Sequence, residues 1–289
     1  MSGVALVEIC CDGNQQIGYG HIRRSSALAV QLEKEGLAVK LTGLSEEAKK
    51  LLPVAKEYKQ QPSIVVFDSL EGIDQQIQKA QSEGKTTVTL DWFGDTIPEV
   101  NIVVYPHNEV RAKNEKYIGF EYIMLRDEIL KVERSQSSNN QNVLVCLGGG
   151  NLLGQAYEAG IGLKNKGLTV TVVQGPLAKN ILWEEGIQIL INPPDFPSLL
   201  ANCDWAVTNG AGCFFEAMYL GKSAFVLPQT EMEIRIAGYA KERGALLGMG
   251  MENLRVFSVD ELQKVSEQGK KLVDGRGTER IASIITNLI

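Results

Sequence analysis

Short apolar runs alternate with amphipathic segments along the chain, and this alternation breaks once and then restarts. Residues 4–11 form an apolar run of buried-strand type. Residues 21–35 then carry Ile22, Leu28, Ala29 and Leu32 at helical spacing, with Lys34 and Glu35 on the wet side. Residues 37–42 read as the next strand, and Ser45 followed by two glutamates reads as a helix start. Residues 64–68, 86–91 and 102–105 complete the first set of β-rich runs. Such alternation predicts a parallel sheet covered by helices on both faces.

The break falls at residues 135–142, SQSSNNQN, a polar stretch without an apolar residue. After it, strands are expected at residues 143–147, 169–174, 187–191, 205–208 and 224–227, and helices at residues 152–166, 213–220 and 233–243. The tail from Val259 reads as helical. Its last helix, residues 276–287, is followed by Leu288, which joins Ile281, Ile284 and Ile285 on one face. The expected architecture is therefore α/β, with two Rossmann-like, doubly wound domains at residues 1–134 and 142–289 and a cleft between them. In open α/β sheets ligands bind outside the carboxyl ends of the strands, so the loops there are where chemistry is sought.

Composition narrows the function. With 29 Lys+Arg against 35 Asp+Glu in 289 residues, the net charge of −6 disfavours a protein that grips nucleic-acid backbones. No run approaches the ~18–20 apolar residues of a membrane span, so no integral membrane segment is expected. No basic region precedes the first apolar stretch, so no signal peptide is expected and the chain reads as cytoplasmic. Five cysteines without a CxxC pair and only two histidines, His21 and His107, suit neither a disulfide framework nor a zinc site. Cys10 and Cys146 lie in strand-like runs, where a thiol behaves as a small hydrophobe.

Three loops can carry chemistry. In residues 12–24, DGNQQIGYGHIRR, the turn Gly18-Tyr19-Gly20-His21 opens a helix. Its glycines let the backbone approach a ligand, and the helix start offers N–H groups to an anion. His21 there is favoured as the neutral imidazole that a general base requires. The plainer alternative is a turn with a half-exposed histidine. Arg23 and Arg24 read as solvated or anion-facing. A dinucleotide fingerprint does not fit, because Arg23 occupies the third glycine position and the next strand does not end on an acid.

The second loop is Gly148-Gly149-Gly150-Asn151. It lacks the Lys-Ser/Thr of a P-loop, so ATP hydrolysis has no support, and a tight βα turn is the alternative. The third runs from Thr208 through Asn209, Gly210, Ala211 and Gly212 into a helix expected to start near Cys213. Its small-residue turn suits a diphosphate. Glu216, expected in the first helical turn, suits either the two hydroxyls of a ribose or simple dipole stabilisation. Cys213 at a helix start could be an activated thiol, but Phe214 and Phe215 follow it and no second histidine is nearby in sequence.

Together these residues resemble a known family. The run Asp12…Ile17-Gly18-Tyr19-Gly20-His21-Ile22-Arg23-Arg24…Leu28-Ala29 is similar to the opening of the UDP-sugar hydrolases of pseudaminic acid synthesis, which cleave a UDP-linked diacetamido trideoxy sugar. The resemblance continues through Tyr122, Leu125-Arg126, residues 148–150, residues 209–216 and from Ala237 to Gly244, most of the chain. The same layout is found in the glycosyltransferase that builds lipid II, whose GT-B fold the hydrolases share, and this resemblance implies that the second domain binds UDP and that the last helix crosses back onto the first domain.

The resemblance implies a role for each matching residue. His21 would be the general base activating water at the anomeric carbon. Gly18, Tyr19 and Gly20 would belong to the loop around the sugar and phosphates, and Gly149 to the second turn. Gly210, Ala211, Gly212 and Cys213 would form the turn over the UDP diphosphate, and Glu216 would grip the ribose. No metal and no cofactor are implied, and the chain has no Asp-x-Asp motif to hold a metal. The chain departs from the pattern at Glu231-Met232-Glu233, where the hydrolases carry Glu-Asn-Gln, at Cys213, where they carry Ser or Thr, and at Lys222-Ser223. The expected function is hydrolysis of a UDP-linked amino-deoxy sugar for nonulosonate or surface-polysaccharide synthesis. The alternatives are a glycosyltransferase using a UDP-sugar donor and a non-catalytic nucleotide-sugar-binding protein.

Overall fold

The computed structural model describes residues 4–13, 20–52, 57–69, 72–106, 114–134, 139–148, 154–175 and 186–289. The chain divides into two compact units, Met1–Arg126 with Gly275–Ile289, and Asp127–Asp274. Among the described residues no helix is long and apolar enough to cross a membrane.

Unit 1 runs β1 (Leu6–Cys11), α1 (Gly20–Lys34), β2 (Ala38–Gly43), α2 (Glu46–Leu51), β3 (Ile64–Asp68), α3 (Asp74–Ser82), β4 (Thr86–Leu90), β5 (Val100–Val103) and β6 (Glu115–Ile118), then a short 3-10 turn at Phe120–Tyr122. Its six strands pair in parallel in the order β2-β1-β3-β4-β5-β6. Every residue of β3 is buried, as expected for a strand covered on both faces. Serine at position 45 caps α2, its hydroxyl accepting from Ala48 N at 3.2 Å, which is why the helix starts at Glu46.

Unit 2 runs α4 (Asp127–Leu130), β7 (Asn142–Cys146), α5 (Gln155–Lys164), β8 (Thr169–Gln174), β9 (Gln188–Ile191), α6 (Phe196–Asn202), β10 (Trp205–Thr208), α7 (Gly212–Leu220), β11 (Ser223–Val226), α8 (Glu231–Glu242), β12 (Gly248–Met249) and α9 (Val259–Leu272). These strands also pair in parallel, in the order β12-β11-β10-β7-β8-β9. Val143, Val145, Val170, Val172, Trp205, Val207 and Phe225 line one core. Trp205 is fully buried, stacks edge-on against Phe257 at 5.3 Å, and gives its indole N–H to the Asn140 carbonyl at 3.2 Å.

The last helix, α10 (Gly277–Thr286), belongs to unit 1. It buries Ile281, Ala282 and Ile285, while Ile284 and Leu288 are only half-buried. Arg280 Nη1 donates to the Glu121 carbonyl at 2.9 Å, and Thr286 Oγ1 donates to Glu35 Oε2 at 2.7 Å. A Cβ at position 277 would sit 2.1 Å from the Ile123 carbonyl oxygen, so only glycine lets the helix start this close to the chain it packs on.

Strand order locates where a ligand is sought. In unit 1 the order reverses between β1 and β3. Counted along its own strands, unit 2 reads 3-2-1-4-5-6, with the reversal between β7 and β10. Doubly wound sheets bind ligands at the carboxyl ends of strands beside such reversals.

Candidate functional site

The reversal in unit 1 brings together a buried polar cluster. Cys11, which ends β1, pairs in register with Asp68, which ends β3, and α1 follows β1. His21 and Arg24 are three residues apart and so share one face of α1, directed at Asp68. His21 Nδ1 lies 2.6 Å from Asp68 Oδ1. Arg24 Nε donates to Asp68 Oδ2 at 2.8 Å, its Nη2 donates to Oδ1, and its Nη1 donates to Asp91 Oδ2 at 3.0 Å. Ser25 Oγ donates to Asp68 Oδ2 at 2.9 Å, and the Tyr105 N–H to Asp91 Oδ1 at 2.8 Å. Arg24 also lies over the Tyr105 ring, 5.5 Å from its centroid.

The charges in this cluster differ in kind. Burial pushes the Asp68 carboxyl up, but Arg24 and then His21 outweigh it and hold the group well below the usual carboxylate range. At Asp91 burial prevails over the same arginine, and its carboxyl is raised. Asp91 also adopts φ 56°, a left-handed backbone uncommon outside glycine. An ionised Asp68 only accepts hydrogen bonds, so the His21 nitrogen 2.6 Å away carries its proton. Nε2 is the ring nitrogen not engaged by Asp68, and so the one through which the ring can exchange a proton with a ligand.

Several expectations change here. Arg24 is not solvated: it is 8% exposed, and the anions it faces are the protein's own buried carboxylates, while Arg23 is exposed as expected. Asp68 and Asp91 were not singled out by sequence. The signal for Asp68 is a carboxylate ending an otherwise apolar strand, IVVFD. Asp12, which opens the resemblance, has a structural part, accepting the Gly13 N–H at 2.8 Å and the Ser45 hydroxyl at 2.5 Å and so holding the cap of α2. Gly20 begins α1 and is exposed, and nothing would obstruct a Cβ there. Gly18, Tyr19, Gly149 and His107 lie outside the described residues.

The reversal in unit 2 holds the second cluster. β10 passes through Asn209 and Gly210 to Ala211, which precedes α7 without a side-chain cap. Gly210 has φ 90°, and a Cβ there would lie 3.1 Å from Val226 Cγ1 and 3.2 Å from the Glu233 carbonyl oxygen, so the turn requires glycine. Asn209 is buried. Its Nδ2 donates to Glu233 Oε1, and its Oδ1 is buried without a hydrogen-bond partner among the described residues. Such an orphan beside a helix start is what a polar ligand would satisfy.

Glu233 organises this turn. It stands at the third position of α8 and completes a capping box with Thr230. Its Oε2 accepts from Gln229 N at 2.6 Å and Thr230 N at 3.1 Å. Burial raises its carboxyl in spite of these bonds. Gln229 in turn gives its side-chain amide to the Leu147 carbonyl at 3.1 Å, tying the segment to the end of β7, where Gly148 has φ 79°. The capping box Thr230-x-x-Glu233 is legible in sequence, and it is why α8 begins at Glu231, two residues before its expected start. Glu216 corrects another expectation. α7 starts at Gly212, so Glu216 is its fifth residue, past the first turn, and it is buried.

No known protein family matches the chain in a family scan. Two curated proteins are similar to it. An uncharacterized protein of Methanocaldococcus jannaschii is 26% identical over 78% of this chain and 56% of its own length, so this chain spans little more than half of that relative. The spore coat polysaccharide biosynthesis protein SpsG of Bacillus subtilis is 22% identical over 98% of both chains. Among solved structures, MurG of Acinetobacter baumannii superposes with a TM-score of 0.71 at 11% identity, covering 98% of this chain and 99% of the other. The glycosyltransferase SnogD of Streptomyces nogalater has a TM-score of 0.60 at 11% identity over 99% and 100% of the two chains. MnaA of S. aureus, solved with UDP, also has a TM-score of 0.60, at 12% identity over 99% and 98%. The fold is therefore α/β of the GT-B type, with two Rossmann-like units.

Proposed function

We propose that this chain is a glycosyltransferase that moves a sugar from UDP to an acceptor hydroxyl in polysaccharide synthesis. The observation that carries the reading is the His21–Asp68 pair. A histidine with its Nδ1 proton engaged by a buried carboxylate presents Nε2 as a base. In this reading Nε2 takes the acceptor proton, the acceptor oxygen attacks the anomeric carbon, and the bond to the UDP oxygen breaks with its electron pair on UDP. The turn through Gly210, Ala211, Gly212 and Cys213 meets the phosphate charge with backbone N–H groups, and Glu216 holds the ribose. The full-length similarity to SpsG and the fold shared with SnogD and MnaA support this class of substrate.

Hydrolysis is the second reading, favoured by the match of residues 12–29 to the UDP-sugar hydrolases, with water in the place of the acceptor. One experiment separates them. The protein is incubated with a panel of UDP-sugars, with and without sugar and lipid acceptors, and UDP and free sugar are both measured. Transfer is supported by UDP release that depends on acceptor and yields a glycosylated product. Free sugar at equal rate without acceptor assigns hydrolysis instead. UDP binding without turnover of any donor overturns both and leaves a binding protein.

A further inference from the structure

Two thiols meet at the strand reversal of unit 2. Cys146 ends β7 and pairs in register with Thr208, the last residue of β10. Cys213 is the second residue of α7, five positions after Thr208. Their sulfurs are 3.4 Å apart. A disulfide needs about 2.05 Å, so closing the gap takes a shift of little more than an ångström shared between two side chains.

We propose that Cys146 and Cys213 are an oxidation site, forming a reversible disulfide that disables the turn between β10 and α7 as a phosphate-binding element. The bond itself follows from the geometry; its consequence rests on the nucleotide reading above. Cys213 is half-buried and within reach of a small oxidant, whereas Cys146 is buried directly behind it. With a peroxide as oxidant, the Cys213 thiolate attacks one peroxide oxygen, giving a sulfenic acid and, after protonation, one water. The Cys146 sulfur then displaces the sulfenic hydroxyl as a second water. Two thiols lose two electrons and two protons in all, and one peroxide becomes two waters.

The other cysteines are poorly placed to compete. Burial pushes the thiols of Cys10, Cys11 and Cys203 up to about 12, which leaves little of the reactive thiolate. Cys10 and Cys11 are adjacent in β1 and face opposite sides of the sheet.

The strain of closure falls on the helix start. Cys146 sits in a strand paired on both sides, with β8 and β10, and has little freedom to move. The sulfur that shifts is that of Cys213, and it draws the first turn of α7 with it. The chain leading into that turn is closely seated, because Gly210 leaves no room even for a Cβ beside Val226 and Glu233. Hydrogen bonds from N–H groups to phosphate tolerate only a few tenths of an ångström, so the oxidised turn binds a diphosphate poorly.

The test treats the full chain with hydrogen peroxide, alkylates the remaining thiols, and maps cross-linked peptides by mass spectrometry, while UDP affinity is followed by calorimetry before oxidation, after it, and after dithiothreitol. The expected result is a Cys146–Cys213 linked peptide two hydrogens lighter, with UDP affinity lowered about tenfold or more, the loss of one hydrogen bond to a charged group, and restored by reduction. Cys146→Ala should bind UDP equally with and without peroxide. Alkylation of both cysteines after peroxide treatment, or a link to another cysteine, overturns the site. A formed bond with unchanged UDP affinity overturns the switch. A reduced protein that does not bind UDP overturns the nucleotide reading and with it the switch, while the mass map still decides whether the bond forms.

Discussion

His21 and Asp68 are 47 positions apart in the chain, yet His21 Nδ1 and Asp68 Oδ1 lie 2.6 Å apart. The contact is possible because β1 and β3 are neighbours in the sheet and α1 springs from the end of one of them. It aligns the imidazole before any substrate arrives, and Arg24 keeps the carboxylate charged.

If His21 is the base, His21→Asn should lower kcat by about 10²–10⁴-fold, the usual contribution of a positioned general base. UDP affinity should be unchanged, since the nucleotide is assigned to other residues. Steady-state rates with UDP titration check both, and full activity in the variant removes His21 from the mechanism.

Acid should expose the role of Asp68 in stability. Its folded value is depressed, so between that value and the unfolded one, about 3.9, the unfolded chain binds a proton that the folded chain does not. The stability it contributes is present above about pH 4 and is lost as pH falls further. Denaturant midpoints from pH 7 to pH 3 should therefore drop in the native protein and drop less steeply in Asp68→Asn. At pH 7 that variant should be less stable by about 3–5 kcal/mol, because Arg24 loses a charged partner in the interior. Equal slopes in both proteins would contradict the assignment.

Glu216→Ala should weaken UDP binding by about 1.5–3 kcal/mol, the value of a hydrogen bond to a charged group. Calorimetry decides this, and an unchanged affinity takes Glu216 out of the nucleotide site.

Thr230 and Glu233 should separate a cap from a scaffold. Thr230→Ala removes one N-cap bond and should cost about 1 kcal/mol of stability with little change in UDP affinity. Glu233→Ala also releases Asn209, so it should lower stability and UDP affinity together. Parallel losses in the two variants would show that Glu233 acts only through the helix.

Local patterning accounts for what the sequence disclosed. β3, β8 and β10 fall on their expected residues because buried parallel strands are dense β-branched runs with sharp polar ends. β6 and α6 were not anticipated: EKYI is short and half polar, and FPSLLAN carries a proline in its first turn. His21 was visible because a glycine turn marks its place. Asp68 and Arg24 were not, since only the pairing of distant strands makes them neighbours. Glu233 stands in the sequence only as a departure from the hydrolase pattern, while its spacing of three residues from Thr230 makes it the partner in a capping box.

The return of α10 to unit 1 has a consequence for how the chain is made. Unit 1 is interrupted by the 148 residues of unit 2, from Asp127 to Asp274. At about 5–20 residues per second, a ribosome needs roughly 7–30 s to pass them before α10 is translated. For that interval the nascent unit 1 has its strands but lacks the partner that covers α1, with Ile281 and Ile285 yet to arrive. Unit 2, contiguous in sequence, is under no such delay. The part of the protein synthesised first is therefore the part completed last, and it is the nascent unit 1, with the face of α1 uncovered, that a chaperone would meet.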